Sequence, residues 1–97
     1  VNKDEAIVIL NEVKDYILQT YNEHYSTGNK IQVVEFIMSQ FDTGEDFLRG
    51  NVLKYTSRYG KKAGKNRKDL LKAIHYLLLM MHYEDVNENN PNQPVSK

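Results

Sequence analysis

An all-α domain of four helices is the fold this sequence predicts, and three observations predict it. Apolar residues recur at spacings of three and four along residues 4–21 and again through the second half of the chain. Acid-bearing helix-start signals (Asp4-Glu5, Thr43 with Asp46, Asn66 with Asp69) stand ahead of apolar runs. The one β-prone run, Ile31 to Phe41, lacks the strict polar–apolar alternation of a half-buried strand. A length of 97 residues suits one domain with a modest core, expected over residues 1–86.

The first helix is expected over 4–21, with Ile7, Leu10, Val13 (or Lys14), Ile17, Leu18 and Tyr21 on one face. Asn22, Ser26, Thr27, Gly28 and Asn29 are turn formers, so 22–29 reads as a connector. Ile31 to Phe41 holds β-prone Val33, Val34, Phe36 and Ile37. Its apolar positions continue through Met38 and Phe41 at helical spacing, which predicts a short helix. Thr43 then reads as an N-cap with Asp46 three residues on. The helix it opens reaches about Tyr59, with Phe47, Leu48, Asn51, Val52, Tyr55 and Tyr59 inward, and Gly60 ends it. The last helix starts at Asn66, with Asp69 as its N3 capping acid, and runs to about Tyr83. Its apolar residues (Leu70, Leu71, Ile74, Leu77, Leu78, Leu79, Met80, Met81) nearly encircle its second half. A helix apolar all round is covered on more than one side, which predicts a homo-oligomer that buries part of it. From Asn87 the residues are polar and Pro-bearing, and 87–97 is expected to be a disordered tail.

Charge is distributed unevenly. The chain is neutral, with 13 basic and 13 acidic side chains. Between Lys54 and Lys72, however, eight Lys or Arg face one acid, Asp69, while residues 1–48 carry nine acids against three Lys. A basic loop opening a helix N-terminus is an anion site in the making, because free backbone N–H groups, the helix dipole and the side chains agree in sign. Lys54 and Arg58 are one helical turn apart on one face, and Lys61 and Lys62 extend that surface into the loop. These four are the expected phosphate contacts, with Arg able to grip two oxygens at once. The plain alternative is a solvated basic loop, or partners for acids elsewhere in the fold.

Other chemistry is sparse. No cysteine is present, which excludes disulfides, Cys-based zinc sites and thiol catalysis. The longest apolar run, Tyr76 to Met81, is far too short to cross a bilayer, so no membrane association is expected. Gly60, Gly64 and Lys65 lack the spacing of a phosphate-binding P-loop. His75 and His82 share a helix face, but two turns separate them by roughly 10 Å, too far for one ion. No metal site is assigned. Mg²⁺ would enter only together with a nucleotide, held by Glu35 with either Asp69 or Glu84. His24, in the connector, reads as a proton shuttle, a metal ligand or a phosphate donor, or as a plain surface or hydrogen-bonding residue. Asn51 is polar on an apolar face beside Gly50, a residue that costs ~1 kcal/mol within a helix. Together they suggest close approach of another backbone or a buried polar contact; alternatively Asn51 reads a base or ribose. His24, Asn51 and Tyr55 are the expected ligand-lining residues.

His24-Tyr25, Ile31-Gln-Val-Val-Glu-Phe-Ile37, Gly50-Asn51, Lys54-Tyr55, Arg58, Gly60-Lys61-Lys62, Asp69-Leu70, Lys72-Ala73 and Tyr76-Leu77 form a joint pattern over about residues 24–80. In this pattern the chain resembles the SaV-like family, small bacteriophage proteins largely of unknown function. The same domain also occurs in a larger phage enzyme that phosphorylates deoxynucleoside monophosphates without a P-loop. The resemblance implies a phage-encoded protein of the host cytoplasm with a nucleotide-related role, and by itself it raises monophosphate kinase activity as a question. The leading expectation is binding of a phosphate-bearing ligand, a nucleotide above all. Two other classes stand beside it. One is a protein-interaction module acting on a host factor or defence system, suggested by small size, charge segregation and excess apolar surface. The other is single-stranded nucleic-acid binding through basic residues interleaved with Tyr55 and Tyr59.

Overall fold

A computed structural model describes residues 1–21, 30–40, 43–61 and 64–88, and among them the chain is all-α. Four helices follow one another: α1 (Lys3–Thr20), α2 (Lys30–Gln40), α3 (Gly44–Arg58) and α4 (Arg67–Glu88). They fall into two compact units, Val1–Gly44 and Glu45–Lys97.

In the first unit, α1 begins one residue earlier than the pattern suggests because Asn2 caps it. The Asn2 side chain accepts from the Glu5 N–H, and the Glu5 carboxylate accepts from the Asn2 N–H, both at 2.8 Å. This reciprocal capping box satisfies two N–H groups that the first turn leaves open. The apolar stripe of α1 is less covered than its spacing implies. No residue of the helix is buried, and Ile7, Leu10 and Leu18 are all exposed. Within α2, Val34 is buried. Gly44, the first residue of α3, is buried against Met38; a Cβ there would meet Met38 Sδ at 2.6 Å and its Cα at 3.2 Å. A methyl at this position would force Met38 to shift.

In the second unit, α3 and α4 run antiparallel, since Arg58 meets Asp69 while Tyr55 and Phe47 meet Tyr76. Leu48 of α3 is fully buried, and Ala73 and Leu79 of α4 complete the small apolar core. Aromatic contacts extend it: Phe47 meets Tyr76 edge-on at 6.4 Å, and Tyr55 stacks on Tyr76 at 6.0 Å with ring planes 14° apart. Asp46 is expected near the α3 N-cap, but its carboxylate goes instead to Arg49 at 3.1 Å, with Glu45 accepting from the same guanidinium at 3.2 Å. All three side chains are more than half exposed, so this fork adds at most ~1 kcal/mol.

Gly60 ends α3 as expected, with φ +87°, a conformation that costs a residue with a Cβ. Its N–H donates to the Gly64 carbonyl at 3.0 Å, and Gly64 is itself left-handed at φ +71°. The Lys61 N–H donates to the Arg58 carbonyl at 2.9 Å, satisfying one of the acceptors left open at the end of α3. Asn66 caps α4 through its side-chain oxygen, which accepts from the Lys68 N–H at 3.0 Å.

Three expectations need correction. Asp69 is not the reciprocal capping acid of α4. The Asn66 N–H donates to the Gly64 carbonyl, and the Asp69 side chain is turned to Arg58. Gly50 is exposed, and among the described residues a Cβ there would meet nothing within 4 Å, so no other described backbone approaches it. Finally, α4 continues through Asn87 to Glu88, past both its expected end at Tyr83 and the expected start of the tail. The apolar period fades after Tyr83, but no Gly or Pro interrupts 84–88, and extending a formed helix costs far less than starting one. Residues 89–97 lie outside the described residues. No helix among the described residues is long and apolar enough to cross a membrane.

Candidate functional site: a basic and aromatic cluster on α3 and α4

The antiparallel register of α3 and α4 brings together residues that are far apart in sequence. Tyr55 sits at the centre. The Lys54 ammonium lies 5.1 Å from its ring centroid and the Lys72 ammonium 5.2 Å, so two cations share one aromatic ring. The two ammonium groups are therefore within about 10 Å of each other, and at that separation they repel by on the order of 1 kcal/mol near a protein surface. Neither lysine is paired with a carboxylate among the described residues. The ring's negative face offsets part of this charge, by about 0.5–1 kcal/mol per exposed contact. The arrangement nonetheless remains a concentration of positive charge on an aromatic surface, with Tyr76 stacked on Tyr55.

Arg58, one turn along α3 from Lys54, has a different environment. Its Nε lies 3.6 Å from Asp69 Oδ1, with the Arg58 side chain 38% exposed and that of Asp69 4% exposed. The separation makes an ion pair without a full hydrogen bond. Arg58 Nε and Asp69 Oδ2 are both buried and have no hydrogen-bond partner among the described residues. The guanidinium thus partly serves to neutralise a carboxylate that the fold has taken out of water. An internal acid is the alternative partner expected for this arginine, and the fold supplies one in Asp69.

The other expected site residues are distributed as follows. Lys61 is exposed at the turn after α3. Asn51 is half-buried, and its side-chain N–H donates to the Phe47 carbonyl one turn back at 2.9 Å, so the amide has a partner within its own helix. His24 and Lys62 lie outside the described residues. Lys72 and Tyr76, absent from the expected site, are brought into it by the packing of α4 on α3. Their signal was present in the Lys72-Ala73 and Tyr76-Leu77 pieces of the joint pattern. Among the described residues no three His, Asp or Glu side chains converge as a metal site would require.

Farther along α4, His75 is buried, and burial holds its imidazole below the ordinary pKa of 6.5 by disfavouring the charged form.

No curated protein and no solved structure matches this chain. A family model does, over residues 19–78, which span α2, α3 and most of α4 and contain every residue of the cluster. That model covers well over half of the chain, and it places the protein in the family described as a protein of unknown function, DUF3310.

Proposed function

We propose that the α3–α4 cluster binds a phosphate-bearing ligand and that this ligand is a nucleotide. The observation that carries the reading is the pair of ammonium groups, Lys54 and Lys72, over the single ring of Tyr55, neither paired with a carboxylate among the described residues. A phosphate placed there turns a repulsion into two attractions. Charge-assisted hydrogen bonds from Lys are roughly twice as strong as neutral ones. Lys61 is exposed at the near turn as a further cation, and Tyr55 with Tyr76 offers an aromatic surface of the kind on which a base stacks. Arg58 contributes positive potential while its Nε faces Asp69.

The resemblance to small phage proteins extends the proposal to deoxynucleoside monophosphates as ligands and to action in the host cytoplasm during infection. Phosphoryl transfer needs a cation that bridges the donor phosphates. The residues that carry this proposal are themselves cations and aromatic rings, which bind and orient a nucleotide but do not hold a metal.

The test is thermal melting with each nucleoside monophosphate, inorganic phosphate and a single-stranded oligonucleotide, on wild type and the Lys54→Ala/Lys72→Ala variant. A ligand at a hundred times its Kd stabilises the folded state by about 2.7 kcal/mol. A saturable rise in melting temperature with a mononucleotide, absent in the variant, is the expected result. No response to any mononucleotide, or an equal response in the variant, would overturn the proposal. An oligonucleotide that binds far more tightly and loses affinity steeply with salt would replace it with single-strand binding.

A further inference from the structure

The side of α4 turned away from the cluster carries an uncovered apolar stripe. Ile74, Leu77, Leu78 and Met81 follow one another at three- and four-residue spacing and are 36%, 46%, 40% and 70% exposed. Asp69, Ala73 and Leu79, by contrast, are buried. The stripe is bounded by charge of opposite sign at its two ends. Arg67 and Lys68 stand in the first turn of α4, and Glu84 and Asp85 follow the stripe near its last turn. Both groups oppose the helix dipole, which favours acids at the start and bases at the end. Arg67, Leu71, Ile74, Leu78, Met81 and Asp85 recur at alternating steps of four and three, the spacing of a helix–helix seam.

We propose that two copies of this chain pair antiparallel through the Ile74–Leu77–Leu78–Met81 stripe of α4, each placing its basic end beside the acidic end of the other. A two-fold axis between Leu77 and Leu78 sets Ile74 of one copy opposite Met81 of the second. The same axis brings Asp85 level with Leu70 of the second copy, about 5 Å along the axis from its Arg67 and within that side chain's reach. Both ends then meet opposite charge. A parallel pair would set Arg67 against Arg67 and Asp85 against Asp85, which is repulsive at both ends. The second copy is therefore oriented antiparallel. This surface lies on the other side of α4 from Asp69 and Tyr76, so the pairing stands or falls independently of ligand binding.

Three measurements test it. Sedimentation equilibrium at tens of micromolar should give twice the 11.3 kDa chain mass for wild type and a single chain mass for Leu78→Glu. Asp85→Arg should weaken association about tenfold by placing like charges together at both ends, and Arg67→Glu added to it should restore most of the loss. Because the chain has no cysteine, Lys68→Cys gives one spin-label site per copy in an otherwise native interface. Antiparallel pairing places the two labels about 30 Å apart, and parallel pairing about 10–15 Å. A wild-type monomer at these concentrations, a label separation in the short range, or a charge-reversal pair that fails to restore association would each overturn the proposal.

Discussion

Replacing Arg58 with alanine discriminates most directly between a site residue and a fold residue. The Arg58–Asp69 separation of 3.6 Å corresponds to a gross attraction of about 4–5 kcal/mol at an effective dielectric of ~20. Only part of this survives as net stability. Arg58 is 38% exposed, so water screens it, and the buried Nε and Oδ2 atoms make no hydrogen bond among the described residues. The larger effect of the substitution lies on the other partner. Asp69, with a side chain 4% exposed, is left as a carboxylate without its counter-charge. Breaking a fully buried pair costs about 3–5 kcal/mol, and leaving a buried polar group unsatisfied costs about 1–3 kcal/mol. The half-open geometry places Arg58→Ala at about 2–3 kcal/mol. For a chain of this length that is a fall of roughly 10–20 °C in melting temperature with no ligand present. Urea unfolding followed by far-ultraviolet circular dichroism measures it, and a cycle with Asp69→Asn isolates the pair. Asp69→Asn removes the charge that Arg58 neutralises, so the double variant should lose less than the two single variants together, by about 1–2 kcal/mol. An Arg58→Ala protein within about 0.5 kcal/mol of wild type, additive with Asp69→Asn, would refute the reasoning and return Arg58 to the ligand site.

Two further outcomes follow from the same structure. Gly50→Ala should stabilise the protein by about 1 kcal/mol in a denaturant titration, because the position is exposed within α3 and open space surrounds the added methyl; a loss of stability would mean that something covers this face. His75 is held below its ordinary pKa of 6.5 by burial, so the unfolded chain takes up that proton first as pH falls. The contribution is fully present above pH 6.5 and is lost on acidification below it. Stability measured across that window should decline less steeply in His75→Gln than in wild type, and equal slopes would contradict the assignment.

Much of this protein was legible from short-range patterns. Apolar spacing located all four helices, and the end of α3 at Gly60 and the start of α4 beside Asn66 followed from backbone freedom and cap chemistry. These are local properties, set within a turn or two of chain, so a sequence carries them directly. Where the local signal was negative, as beyond Tyr83, the helix continued simply because nothing stopped it. The roles of the polar residues were not legible in this way. The Asp69 spacing suited a capping box equally well, and only the register of α3 against α4 turned its carboxylate to Arg58. Gly50 beside Asn51 suggested a close backbone approach, yet the surface over Gly50 is open and Asn51 bonds back into its own helix. Lys54 and Lys72 are eighteen positions apart in the chain, and the antiparallel packing of two helices placed both ammonium groups on one tyrosine ring. Periodicity reports which face of a helix is apolar, but which side chain of a second helix arrives there is decided by interhelical packing, a long-range property that no local window contains.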